Sequence, residues 1–353
     1  MAPAYASETF VVLCWGIGQF VSFGVLASYS SAPRTSYWSW RIPVAIQWLW
    51  PVVIFPIILF APESPWWLVR KDRIDEAEKA LRKLTNGDEV QVKRSIALMV
   101  HTNNLEKAIE EGTSILDCFK GTNLRRTEIA CVMWSMQQWR GFVITGYATY
   151  FYEQAGLAPT EAFHMSVGQA GLHFLCTLAA FFVTGRYGRR LLTLGGLTGM
   201  SVSMFIIGFV SLAPANGARG YSQSAVYLIW YTFYELAVGP VGYIVIGEVS
   251  TTRLHSHTIG LARNTYNLVA ILNNVVGPYI LNPTEGNWKG KCGFLTGCLI
   301  IFCLIWTYFR LPETSHRTYE ELDILFDQRL PARKFKDHQV NIISGEAKLV
   351  DLD

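Results

Sequence analysis

Residues 227–281 read YLIWYTFYELAVGPVGYIVIGEVSTTRLHSHTIGLARNTYNLVAILNNVVGPYIL, two membrane-length apolar runs joined by a short basic, histidine-containing turn. Each run holds groups that lipid tolerates poorly: Glu235 in the first, and Arg263, Asn264 and Asn267 in the second. An ionised side chain near the bilayer centre costs roughly 2.5–3.5 kcal/mol on insertion scales. Polar groups at that depth face a protein interior or a watery cavity, and so they mark a transport path.

Composition agrees with this stretch. The 353 residues are 51% hydrophobic and 14% aromatic with only 16% charged, below the quarter expected of a soluble chain, which implies a polytopic membrane protein. A net charge of +3 is too small to argue for a nucleic-acid partner. Cys14, Cys131, Cys176, Cys298 and Cys303 fall inside apolar runs without zinc or disulfide-framework spacing, and read as small core or lipid-facing residues. The sequence contains no nucleotide loop, metal cluster or nucleophile triad, so neither an enzyme nor a cofactor is expected. His255 and His257 lack ligand spacing and read as surface residues.

Runs of about 20 apolar residues can span a bilayer. Eight are found, at about 9–29, 43–61, 128–151, 163–183, 191–213, 224–247, 258–281 and 291–310. Between the second and third lies a polar stretch, Pro62 to Arg126, with 12 Lys/Arg and 11 Asp/Glu. Within it, RIDEAEKALRKL sets Ile74, Ala77, Leu81 and Leu84 at helical spacing, which predicts short surface helices. After Arg310 the chain turns polar and ends in a tail expected to be disordered.

When loops are numbered alternately, one side collects Pro62–Arg126, Gly185–Arg190, the turn at Arg253 and the tail. These hold 23 of the 30 Lys/Arg; five (Arg34, Arg41, Arg219, Lys289, Lys291) lie opposite, and Arg140 and Arg263 remain inside spans. Positive residues stay inside, so both termini and the large loop are expected in the cytoplasm.

One short repeat organises the chain further. Span two ends in Ala61-Pro62-Glu63-Ser64-Pro65 and span eight in Leu311-Pro312-Glu313-Thr314-Ser315, each followed by an acidic helix. Ser64 with Pro65, and Thr318 with Glu321 as a capping box, supply the restart. The repeat is either generic helix-stop chemistry or the equivalent ends of two repeated halves. In the second case two spans precede the first mark where six precede the second. About four helices are then expected upstream, with Met1 inside a longer coding sequence.

These segments resemble the sugar porters of the major facilitator superfamily, and within them the fungal maltose/α-glucoside:proton symporters. QFVSFGVLASY (19–29) is similar to the family's fifth helix and YWSWRIPVAIQWLWP (37–51) to the start of its sixth. PESPWWL (62–68) resembles the mark after helix six, and QQWRG (137–141) with YATYFYEQAG (147–156) resembles helix seven. GRYGRR (185–190) is similar to the eight–nine turn, GPVGYIVIGE and LARNTYN to helices ten and eleven, and LPETSHRTYEELDILF to the end of helix twelve. PARKFK (331–336) points to the α-glucoside branch. The resemblance covers about residues 5 to 336. Gly185 stands where most sugar porters have Asp, His255 where a second Arg is usual, Val143 where Asn is frequent, and Arg140 where smaller residues are common.

The resemblance implies an all-α major-facilitator bundle lacking its first four helices. Residues 1–61 would carry the last two helices of the N-terminal half and 62–126 a cytoplasmic linker. Residues 127–311 would form the six-helix second half and 312–353 a cytoplasmic tail. It implies proton-coupled uptake of a maltose-like sugar by alternating access at the plasma membrane, with sugar, protons and lipid as partners. A non-transporting membrane protein, either a degenerate product or a sugar sensor or partner subunit, is the alternative.

Sugars present hydroxyls and apolar faces, so amides that donate and accept, and rings for stacking, are the groups to seek. Gln19, Gln137, Gln138 and Asn267 supply amides; Tyr147, Tyr150, Tyr243 and Tyr266 supply rings. The same amides could instead bond neighbouring helices. For proton coupling the candidates are Arg263, which biases a nearby acid without losing its own proton, and Glu235, the one deep acid. Glu235 either carries the proton or forms a structural pair with Arg140 or Arg263. Arg186, Arg189, Arg190, Glu248 and Arg253, at cytoplasmic helix ends, are candidates for gating salt bridges, with positive-inside anchoring as the other reading. Gly239-Pro240 interrupts the helix ladder and could hinge near the site, whereas Gly277-Pro278 reads equally as a helix end.

Overall fold

The computed structural model describes residues 2–30, 37–85, 88–110, 114–141, 144–214, 217–315, 317–336, 338–341 and 348–351. Arg34 and Val143, singled out in the sequence, lie outside the described residues. The chain divides into two units, residues 33–114 and residues 1–32 with 115–353.

The smaller unit begins with α2 (Trp38–Ile46) and α3 (Leu49–Phe60). Helix α3 is apolar on every face and none of its residues is buried, as expected of a helix solvated by lipid. Next come α4 (Pro65–Arg70), α5 (Ile74–Leu84) and α6 (Glu89–Glu110). Leu68, Val69, Ala77, Ala80 and Ile96 close a small core among them. Ile74 and Leu81 pack on it as their spacing predicts, whereas Leu84, in the last turn, is exposed. Pro65 begins α4, but the Ser64 side chain makes no cap bond.

The larger unit holds α1 (Ala2–Ser30), α7 (Gly121–Trp139), α8 (Ala148–Ala155), α9 (Pro159–Arg186), α10 (Arg189–Val210), α11 (Gly217–Phe233), α12 (Gly239–Val249), α13 (His255–Leu281), α14 (Cys292–Arg310) and α15 (Tyr319–Asp327). The single span expected at 128–151 is broken into α7, a 3₁₀ turn at Thr145–Tyr147 and α8. Helices α11 and α12 are joined by a π-helical turn, Tyr234–Val238. Pro240, buried near the start of α12, has no N–H for the ladder, and a widened turn just before it accommodates the loss. Pro278 sits inside the last turn of α13, after the buried Gly277.

Among the described residues, five helical stretches are long and apolar enough to cross a membrane: Trp40–Phe60, Pro159–Arg186, Arg189–Val210, Gly217–Val249 and Lys289–Arg310. Eight were expected. Helix α1 is apolar over Leu13–Tyr29, whereas α7 and α13, of 19 and 27 residues, carry polar side chains that dilute them. The tail is more ordered than its composition predicts. Helix α15 has the expected Thr318–Glu321 capping box and buries Leu322, Leu325 and Phe326, and β1 (His338–Asn341) pairs antiparallel with β2 (Lys348–Asp351). All seven cysteines are free; Cys14 and Cys298 are exposed, and Cys176 and Cys303 are buried.

Helices α10 and α14 approach closely because small residues face each other. Gly293 and Gly297 form a Gly-xxx-Gly pair, the spacing that lets two helix backbones touch. A β-carbon on Gly293 would stand 2.6 Å from the Met204 carbonyl oxygen and 3.0 Å from the Gly208 nitrogen, and backbone cannot yield as a side chain can. Gly293→Ala should therefore destabilise the protein by about 1–3 kcal/mol. Gly195→Ala, with open space around it, should not. Thermal melting in detergent compares the two.

Candidate functional site

Helix α7 ends where the sugar-porter motif places its glutamines. Its C-cap, Arg140, donates from Nε to the Gln137 carbonyl (2.7 Å), where a cation also meets the negative end of the helix dipole. The guanidinium lies over the rings of Tyr234 and Trp230. The chain then turns through Gly141, whose β-carbon would collide with Thr145.

The turn opens a cavity of about 280 Å³ lined by Gln137, Gln138, Arg140, Thr145, Tyr147, Tyr266, Asn273 and Asn274, among others. Gln137 is held at both ends: its Nε2 donates to the Val238 carbonyl (3.1 Å), and its Oε1 accepts from the Tyr234 hydroxyl (2.7 Å). Gly242 leaves room for that amide. From α13, Asn273 Nδ2 donates to the Gln138 carbonyl at 2.9 Å and to its Oε1 at 3.3 Å. The lining is thus amides, hydroxyls and rings with one cation.

Of the seven residues expected to bind substrate, Gln137, Gln138 and Tyr147 meet at this cavity. Tyr150 packs against the core, and Tyr243 packs edge-on against Trp15 and Trp134. Gln19 on α1 and Asn267 on α13 are exposed and line no part of it. Asn273 and Asn274 were missed. Asn273 stands about 120° around α13 from Asn267, and Asn274, on nearly the same face as Asn267, lies about 10 Å further along the helix, so both phase and depth against the partner helices decide which positions line the cavity.

The two proton-coupling candidates do not meet. Arg263 is exposed and stacks over Trp134 (4.7 Å) and Tyr266 (4.5 Å). Glu235 pairs with neither Arg140 nor Arg263; its Oε1 lies 3.0 Å from Nδ1 of His173 on α9, and the Tyr231 hydroxyl reaches the same nitrogen at 2.9 Å. Sequence reasoning passed over His173, a lone histidine in an apolar run, because no spacing ties it to Glu235.

At the other end of the helices Arg189 gathers the gating candidates. Its Nη2 is 3.1 Å from Glu248, whose second oxygen accepts from Thr314 (2.6 Å), and its Nη1 donates to Ser315 (2.8 Å). Glu313 accepts from the backbone N–H groups of Arg189 (2.8 Å) and Arg190 (3.2 Å), a carboxylate on the positive end of α10. The Arg190 guanidinium donates to the Tyr308 carbonyl. Arg186 and Arg253 are exposed and stand apart from this network. Glu313 was legible as the acid of the repeated Pro-Glu-Ser/Thr mark but not as a helix cap. Among the described residues, no group of three His, Cys, Asp or Glu is placed to hold a metal ion.

Arg189 is buried and its removal leaves the Glu248 carboxylate without its ion-pair partner. Arg189→Ala should cost about 3–5 kcal/mol, the range for breaking a buried pair, against under about 0.5 kcal/mol for exposed Arg186→Ala. Melting curves in one detergent measure both. His255 is half-buried and hydrogen-bonded to Ser250, not a surface residue, and burial pushes its pKa below the usual 6.5. The unfolded chain therefore takes up the proton first as pH falls, so stability is full above about 6.5 and declines below it. His255→Gln should flatten that acid limb in melting curves recorded against pH.

Residues 2–326 match the family described as Sugar (and other) transporter. The chain is 37% identical over 340 residues to a general alpha-glucoside permease of Saccharomyces cerevisiae, covering 95% of this chain and 55% of that protein. It is 36% identical over 346 residues to a maltose permease of the same yeast, covering 97% and 56%. The chain thus spans about half the length of these curated relatives. Among solved structures, the proton:xylose symporter XylE bound to 6-bromo-6-deoxy-D-glucose aligns with TM-score 0.67 at 20% identity, over 90% of this chain and 66% of that one. An inward-open form of XylE from E. coli aligns at 0.70 and 19%, over 92% and 68%. Family match, relatives and fold agree: the chain belongs to the sugar transporter family of the major facilitator superfamily, and is a multi-pass membrane protein.

Proposed function

We propose that this chain contributes the sugar-binding half of a proton-coupled α-glucoside transporter that works by alternating access at the plasma membrane. The observation that carries the reading is the convergence of Gln137, Gln138, Tyr147 and Asn273 on one cavity beside a break in α7. Gln138 is held through Oε1 and Asn273 through Nδ2, which leaves the other end of each amide for sugar hydroxyls, and the rings offer an apolar face. The Arg189–Glu248–Thr314 network ties the ends of α10, α12 and α14 together and holds one gating state until its ion pair parts. The positive-residue count supports cytoplasmic termini. Glu235 is the proton-carrying carboxylate, and Arg263 biases acids facing it.

A second reading, sugar binding without translocation, rests on the cavity of Gln137, Gln138 and Asn273 alone. Binding and transport are separated by one experiment. Purified chain in lipid nanodiscs should bind maltose, read by tryptophan fluorescence, and Gln138→Ala should weaken binding about tenfold, the loss of hydrogen bonds worth about 0.5–1.5 kcal/mol each. Proteoliposomes of the same chain then test proton-driven uptake. Binding without uptake selects the second reading, and an unchanged affinity in Gln138→Ala removes the cavity from both.

A further inference from the structure

Two ionisable side chains meet in the middle of the larger unit. His173 is 5% exposed and Glu235 3%. Their 3.0 Å contact joins α9 to the π-turn, and Tyr231 of α11 completes the group. A carboxylate oxygen and an imidazole nitrogen at this separation need a hydrogen between them, since two lone pairs repel. With one proton more than the bare carboxylate and neutral imidazole, the pair is neutral overall. Losing it leaves a net negative charge on the buried pair.

The surroundings keep water away and supply few other charges. Helix α1 lays Gly16 against the His173 ring, where a β-carbon would stand 2.5 Å from it, and α10 presents Gly196 and Gly199 to Ala237, Val238 and Phe233. The titratable groups that face the pair are Cys176 of α9, Tyr227 and Tyr231 of α11, Tyr234 of the π-turn and Tyr243 of α12. Arg140 of α7 reaches the same tyrosines with opposite charge. Arg140 is engaged by the Gln137 carbonyl and the Tyr234 ring and forms no ion pair with Glu235.

The π-turn also touches the sugar cavity. Tyr234 and Val238, the residues at its two ends, both bond to the Gln137 amide, while Glu235 between them bonds to His173. One five-residue turn therefore carries a buried carboxylate on one side and fixes a cavity amide on the other. We propose that His173 and Glu235 form a single shared-proton site and that the Tyr234–Val238 turn couples its occupancy to the Gln137 amide. The proposal rests on the transport reading for its purpose but not for its chemistry. When the pair loses its extra proton, only the neutral imidazole's single N–H remains for the carboxylate, the hydrogen bond is no longer between opposite charges, the turn shifts, and Gln137 is re-aimed in the cavity. Wide turns of this kind recur at functional sites because they lack a tight hydrogen-bond ladder to resist such a shift.

The test is infrared difference spectroscopy of the chain in lipid nanodiscs, titrated between about pH 5 and 8. The wild type should show a carbonyl band of a protonated carboxylic acid that appears as pH falls and is lost in Glu235→Gln. His173→Gln should displace its midpoint by about one pH unit or more. Gln137→Leu, which contacts neither member of the pair, should also displace it. No titrating band in the wild type, or a midpoint unmoved by His173→Gln, overturns the shared-proton site. A midpoint unmoved by Gln137→Leu overturns the coupling. Should His173→Gln fail to fold, ¹⁵N resonances of labelled histidine in the wild type must report a titration with the same midpoint, and their constancy overturns the site. Maltose should move the midpoint too, because coupling is reciprocal. A chain that binds no maltose while the band titrates and responds to Gln137→Leu refutes the transport reading and upholds this one.

Discussion

A polar atom buried inside a membrane span has no water to turn to, so its partner must come from the protein itself. The centre of the larger unit is arranged around this constraint. Pro240 withdraws one donor from the ladder, the chain widens at Tyr234–Val238, and Gln137 answers the Val238 carbonyl and the Tyr234 hydroxyl together. Glu235, displaced to the other side of the turn, is met by His173, whose ring nitrogen the Tyr231 hydroxyl also reaches. Polar satisfaction thus sets which helices touch: α7 and α9 are tied to one turn from opposite sides.

The same constraint takes another form at the helix ends. There water competes, and isolated surface charges contribute little. Arg189 escapes that limit by being buried, and it is surrounded by Glu248, Ser315 and the Thr184 carbonyl, while Glu313 caps α10. Because its members come from α10, α12 and the segment after α14, the network couples ends that sequence separates by more than a hundred residues. Exposed Arg186 and Arg253 have the same charge but not this position.

Between centre and ends, glycine decides spacing. Gly196, Gly199, Gly208, Gly293 and Gly297 lie where a β-carbon would press on a neighbour. In lipid no hydrophobic drive pulls helices together, and association comes from close packing and hydrogen bonds, which small residues permit. The approach of α10 to the π-turn through Gly196 and Gly199 is the packing that surrounds the Glu235–His173 pair.

Class, family and much of the cavity were legible in the order of residues. Apolar runs report lipid directly, because every residue of a span must pay its own transfer cost, and α3 shows this in its purest form. The QQWRG and PETS motifs brought Gln137, Gln138 and the segment containing Glu313 to notice, since a motif carries its local geometry with it. What the order could not reveal is which side of each helix faces which neighbour. Asn267 and Asn273 are equally polar and lie on one helix, yet only Asn273 lines the cavity, because a shift of six residues rotates the side chain far around the axis. Glu235 was visible as a buried acid, but its partner depended on the packing of α9 against the π-turn, 62 residues away along the chain. The sequence by itself determined that this chain enters a membrane as a sugar-porter bundle; only the tertiary structure decided that His173, and not an arginine, faces Glu235, because helix phase and close packing are properties of pairs of helices and not of any one of them.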